Sequence, residues 1–181
     1  MRLFVGISLT PKVIDELSVV SARLRAEGDG LRWSAPESWH ITLQFLGSAT
    51  EEQYRCIVAQ LRELRSPALP MQLAEMGFFD RAGIFFVGVT LATELLLLQQ
   101  RVTVATELCG FATESRPFQP HITLARAKGK TSRQSFRQLK MKLPSQPHFT
   151  RFLARDFLLY ESVPAPAGSR YIIRVRFLLD R

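Results

Sequence analysis

The chain opens on a nearly unbroken apolar run, Arg2 to Ser8, which reads as a strand. The period then changes. Thr10-Pro11 supplies a helix start, with Thr at the cap and Pro at the first helical position. Val13, Ile14, Leu17, Val20 and Leu24 follow at helical spacing until Gly28-Asp29-Gly30. Arg32 to Ser34 predicts a short strand, and Trp39 to Leu46 a longer one closed by Gly47. Thr50-Glu51-Glu52-Gln53 has capping-box form and starts a helix to about Arg65.

Pro67 and Pro70 break the chain. Met71 to Phe79 and Ile84 to Thr90 then pattern as a hairpin around Asp80-Arg81-Ala82-Gly83. A third helix is predicted over Thr93 to Cys109, stopped by Gly110, and a strand over His121 to Arg126. Residues 128–148 are polar and basic, with Pro144 and Pro147, and read as a mobile loop holding at most one short helix. Phe149 to Glu161 and Arg170 to Leu179 predict two closing strands. Mixed helices and hairpin-paired strands argue for α+β with antiparallel sheets, not a doubly wound parallel fold.

Composition narrows this reading. Of 181 residues, 46% are hydrophobic and 22% charged, which fits a globular chain with a core of its own. Cys56 and Cys109 lack C-x-x-C spacing and have no ligand-like spacing to a histidine. A zinc site or a disulfide framework is therefore not expected, a single bridge stays open, and a cytoplasmic home is the simplest. The longest apolar stretch, Ile84 to Leu98, contains Glu94 and is shorter than the roughly 20 residues that cross a bilayer, so no membrane partner is expected. The N-terminal run is too short for a signal peptide.

The net charge of +8 is unevenly placed. Residues 1–115 carry a net −3, and residues 116–181 a net +11. Such asymmetry points to an anionic partner: nucleic acid, nucleotide or membrane surface. Seven basic residues, Arg126, Lys128, Lys130, Arg133, Arg137, Lys140 and Lys142, have no acid among them. If they border the site, they would attract the phosphates of an RNA backbone.

One echo carries chemistry. His40-Ile41-Thr42-Leu43 recurs as His121-Ile122-Thr123-Leu124, and the chain has only three histidines. On a strand, His and Thr share one face while Ile and Leu share the other. Each copy is thus a polar pair on a buried element. Two copies imply two lobes related by a pseudo-two-fold, with both pairs facing one cleft. Two imidazoles suit a reaction that takes one proton and delivers another at neutral pH. The threonine hydroxyls suit phosphoryl oxygens. His148 lacks the pattern and reads as a loop residue.

These motifs resemble the two-histidine phosphoesterases, and within them the RNA 2′,3′-cyclic phosphodiesterases historically called 2′-5′ RNA ligases. Arg2 to Val5, Arg32-Trp33 to Gly47, Arg116 to Arg126, Phe157 to Ser162 and Arg170-Tyr171 extend the likeness over nearly the whole chain. The resemblance implies one bilobal domain over residues 1–181, with one His-x-Thr motif from each lobe, at 40–42 and 121–123. It implies hydrolysis of an RNA 2′,3′-cyclic phosphate to a 2′-phosphomonoester, with His40 as proton donor and His121 as proton acceptor. Thr42 and Thr123 would hold the phosphate. Phe45 would pack on the nucleobase, the alternative being a core position. Arg126 would add charge at the phosphate or stack on a base. On a regular strand Arg126 would share the face of Leu124, so its reach into the cleft requires a bulge or a strand end. No metal or cofactor is expected, and the chain is expected to act as a monomer.

Rival readings are weaker. Gly129-Lys130-Thr131 lacks the glycine of a phosphate-cradling loop, because Leu124 stands there. There is no Lys-x-Asp-Gly, so any ligation would be the hydrolysis reversed, without ATP. A metal hydrolase wants three or more ligands at fixed spacing, which the tetrapeptides do not offer. A non-catalytic RNA-binding module fits the basic third, with Phe118 and Phe149 as stacking aromatics. It leaves the repeated His-Thr pair unexplained. Phe118 joins Phe45 and Arg126 as an expected substrate contact.

Overall fold

The first strand, β1 (Arg2–Ser8), is buried from Leu3 through Ile7, on both faces, as only an inner strand can be. In this computed structural model, which describes residues 1–127, 132–143, 147–166 and 168–180 (backbone only at 132–133), β1 lies inside a four-stranded sheet. The order is β10-β9-β1-β3, with β3 His40–Ser48, β9 Asp156–Ala165 and β10 Gly168–Leu178. A second sheet has the order β2-β7-β6-β5, with β2 Leu31–Trp33, β5 Leu73–Phe79, β6 Ile84–Val89 and β7 His121–Ala127. Every pairing within both sheets is antiparallel. The runs β9-β1-β3 and β5-β6-β7 correspond, so β3 and β7 hold equivalent places in two lobes, and β3 lies against β7. The fold is the expected two-lobed α+β arrangement.

The helices cover the sheets. In α1 (Pro11–Leu24), Val13, Leu17 and Leu24 are buried, and Pro11 opens the helix. Thr10 precedes it but makes no side-chain cap bond. Before α2 (Glu51–Arg62) the Thr50/Gln53 capping box is formed in both directions. Gln44 on β3 accepts a hydrogen bond from Thr106 of α3 (Thr93–Glu107), which seats α3 on the first sheet. In the fourth helix, α4 (Ser132–Lys140), Phe136 is buried 4.9 Å from the Phe78 ring of the second sheet.

The structure settles two open expectations and corrects a third. The one short helix allowed within 128–148 is present as α4, whose Phe136 and Leu139 belong to the core, while 128–131 and 144–146 lie outside the described residues. The strand expected over Phe149 to Glu161 is broken at Arg155. Its first part, β8 (Phe152–Ala154), pairs with β4 (Leu69–Met71) in a separate ribbon before the chain enters β9. Cys56 and Cys109 form a disulfide, the single bridge that the sequence left open. α2 and α3 pack side by side, which brings Cα atoms 53 residues apart in sequence to 5.7 Å.

Candidate active site

His40 opens β3 and His121 opens β7, and the two strands bury their residues in the same order. The histidine is half-buried, the isoleucine buried, the threonine half-buried and the leucine buried. Then alternation fails in both strands: Gln44 and Ala125 are buried as well. The register explains it. Gly6 pairs with Thr42 and Val5 with Gln44, which leaves Leu43 without a partner. Phe86 pairs with Thr123 and Phe85 with Ala125, which leaves Leu124 without one. Each strand carries a one-residue bulge at the same point, and a bulge reverses the faces of the residues beyond it. Phe45 and Arg126 therefore turn to the face of the histidine and threonine. Phe45 is 70% exposed and not a core residue.

The two rings are held alike. His40 Nδ1 lies 2.7 Å from the Ser38 carbonyl, and His121 Nδ1 lies 2.7 Å from the Gln119 carbonyl. A carbonyl only accepts, so Nδ1 carries the hydrogen and donates it. In the neutral ring this leaves the Nε2 lone pair for chemistry. Ser38 belongs to a 3-10 turn over Pro36–Ser38 that starts after Ala35.

Aromatic walls differ between the lobes. His40 stands 4.6 Å from Phe4, 4.9 Å from Tyr171 and 5.7 Å from Tyr160. His121 stands 4.9 Å from Phe79 and 5.3 Å from Phe86. Opposite Thr42 sits Gly6, where an added Cβ would meet the Ile41 carbonyl at 2.8 Å. Opposite Thr123 sits Phe86, whose ring occupies the space a side chain at Gly77 would need. These wall residues come from β1, β5, β6, β9 and β10. Of them, only the resemblance touched Phe4, Tyr160 and Tyr171, and no local signal in the sequence marks the rest.

Burial pushes His40 down to about 4, opposed by the bond to Ser38 and aided by the charges of His121 and Arg126. Burial lowers His121 too, with Arg126 adding to it. The two imidazoles and the Arg126 guanidinium thus lie within electrostatic range of one another. Burial also raises the Tyr160 hydroxyl to about 12, so Tyr160 stays neutral.

Phe118 is half-buried against the core, and Phe149 is buried, so Phe149 offers no ring to a base. His148 is exposed. Of the basic segment, Lys140 pairs with Asp80 and covers the Phe78 ring, while Lys128, Lys130 and the Arg133 side chain lie outside the described residues. Among the described residues, no group of three or more His, Cys, Asp or Glu gathers as metal ligands. Among the described residues, no helix is long and apolar enough to cross a membrane.

Paired His-x-Thr strands in two antiparallel lobes define the two-histidine class of phosphoesterase. The family described as LigT-like phosphoesterase matches residues 7–86 and 89–171, and the chain belongs to that family. The RNA 2′,3′-cyclic phosphodiesterase of Thermotoga maritima is 31% identical over 71% of each chain. That of Archaeoglobus fulgidus is 28% identical over 94% of this chain and 96% of its own. The crystal structure of Escherichia coli LigT with 3′-AMP superposes with a TM-score of 0.85 over 99% of this chain and 98% of its own, at 24% identity.

Proposed function

We propose that the protein hydrolyses RNA 2′,3′-cyclic phosphate ends to 2′-phosphomonoesters. One observation carries this reading. Two His-Thr pairs, each with Nδ1 tied to the carbonyl two residues back, stand on strands that lie against each other, close enough for the charge of His121 to act on His40. The names of the relatives support the substrate class.

His121 takes a proton from water as its oxygen bonds to phosphorus. The P–O3′ bond breaks, and His40 gives its proton to O3′. The product keeps its phosphate on O2′. Thr42 and Thr123 hydroxyls donate to the non-bridging oxygens, where charge builds. Arg126 adds its positive charge there, and Phe45 stacks on the terminal base. His40 is neutral in the empty cleft, because burial holds it down. The bound phosphate anion raises its proton affinity, so the donor is charged by the substrate it serves.

In this scheme no step uses a metal or cofactor. Reversed, with a 5′-hydroxyl in place of water, it gives 2′-5′ ligation without ATP. The single domain over 1–181 acts as a monomer in the cytoplasm. The Cys56–Cys109 bond is unusual for that compartment, and thiol counting on freshly extracted protein tests the placement.

The deciding experiment is product analysis on a short RNA ending in a 2′,3′-cyclic phosphate, in excess chelator. A 2′-phosphomonoester formed by the parent and lost in His40→Ala and His121→Ala, with RNA binding retained, supports the scheme. A 3′-phosphomonoester, or strict dependence on an added divalent ion, defeats it.

A further inference from the structure

Arg32 of β2 lies directly opposite Arg126 of β7 in the antiparallel ladder. Directly opposed residues share a face. Their neighbours Trp33 and Ala125 are also opposed, and they lie on the core side with the buried ring of Phe85. The guanidiniums of Arg32 and Arg126 therefore both stand on the cleft side. Both residues are exposed, and among the described residues neither forms an ion pair.

Like charges directly opposed on a sheet weaken it unless something lies between them. Here the other lobe closes one side. A side-chain carbon at Gly168, in the hairpin of β9 and β10, would come within 3.9 Å of the Arg32 guanidinium carbon. Arg32 thus sits where the two lobes approach at the cleft mouth. Its strand is one spacing, about 5 Å, further from the reacting histidine than that of Arg126. Arg126 acts on both imidazoles, whereas Arg32 contributes to neither shift.

We propose that Arg32, with Arg126 beside it, forms a second phosphoryl site for the phosphodiester on the 5′ side of the terminal nucleotide. The proposal rests on the reading of the cleft as a cyclic phosphodiesterase. A 3′-terminal cyclic phosphate has one phosphate for a neighbour, on O5′ of the same ribose. Arg126 spans the two phosphates, and Arg32 holds the outer one. Planar guanidiniums suit such bidentate contacts. The site makes the enzyme prefer a chain end over a free cyclic nucleoside phosphate.

The test compares adenosine 2′,3′-cyclic phosphate bearing a 5′-hydroxyl with the same compound bearing a 5′-phosphate. The parent favours the 5′-phosphate in kcat/KM by roughly tenfold, as a charge-assisted contact would give. Arg32→Gln erases that preference through KM, and Arg32→Lys keeps part of it. No preference in the parent, or an equal fall on both compounds in Arg32→Gln, overturns the proposal. Calorimetry with adenosine 2′-phosphate and adenosine 2′,5′-bisphosphate separates it from the catalytic reading. If neither cyclic compound is hydrolysed, the catalytic reading falls. Tighter binding of the bisphosphate, lost in Arg32→Gln, still upholds the site; equal binding of both compounds rejects it.

Discussion

Phe45 and Arg126 stand at the same point of the two lobes, each two residues past an unpaired leucine and five past its histidine. One backbone device thus delivers an aromatic face on one side and a positive charge on the other. The roles should separate in kinetics. Phe45→Ala should raise KM for a cyclic nucleotide by about tenfold, the scale of one base stacked on an aromatic, with kcat little changed. Arg126→Gln should lower kcat. Steady-state rates for both variants check this, and a fall in kcat alone for Phe45→Ala would remove Phe45 from base binding.

The activity should depend on pH in an asymmetric way. kcat/KM reports the free enzyme, in which both imidazoles titrate below 6.5. One must be neutral and the other charged, so the optimum of kcat/KM should lie on the acid side of neutrality. In the complex, the phosphate anion raises His40, so the alkaline limb of kcat should move to higher pH. Superimposable profiles for kcat and kcat/KM would contradict this account of how the donor is charged.

Much of this was legible in the sequence because it is local. The two tetrapeptides, the Thr50/Gln53 capping box and the Asp80–Gly83 hairpin depend on residues a few positions apart. The bulges were not legible. Leu43-Gln44 and Leu124-Ala125 hold no glycine, and only the pairing with β1 and β6 shows the slip. Arg126 was recognised as needing one, yet nothing in its neighbours said it was there. The disulfide stayed an open alternative for a similar reason. It depends on α2 and α3 docking against one sheet, which no spacing between Cys56 and Cys109 reveals. The break at Arg155 depends on β4, more than 80 residues earlier, taking β8 as its partner.

The threonines should act through their hydroxyls. Thr42→Ala and Thr123→Ala should each lower kcat by about a hundredfold, the scale of one lost donor to a developing oxyanion. Thr→Ser should be milder in both. Each threonine is only half-buried, so stability should change little. Equal losses for Ala and Ser, read from kcat and thermal melting together, would assign the need to the methyl group.

The Cys56–Cys109 bond should contribute stability rather than catalysis. It closes a loop of 53 residues in the unfolded chain, for which loss of chain entropy gives about 4 kcal/mol. Reduction, or Cys56→Ser with Cys109→Ser, should lower the denaturation midpoint while leaving kcat near that of the parent at 25 °C. Denaturant titration with and without reductant measures this. An unchanged midpoint would mean that α2 and α3 hold together without the bond.

Gly6 is the residue whose smallness the site most directly requires. A Cβ there would stand 2.8 Å from the Ile41 carbonyl, 3.6 Å from His40 Cδ2 and 3.5 Å from Tyr160. The carbonyl is backbone and cannot swing aside, so β1 and β3 must part at the Gly6–Thr42 pair. That pair lies between His40 and the bulge at Leu43, so the parting displaces both His40 and Thr42. Gly6→Ala should cost about 1–3 kcal/mol, as overpacking does, and should lower kcat even where the fold persists. Val5→Ala, on the opposite face of the same strand, separates the two effects. Val5 is fully buried, so its truncation weakens the core without crowding His40. At matched loss of stability, Gly6→Ala should be the slower enzyme, and equal rates would show that the glycine serves folding alone.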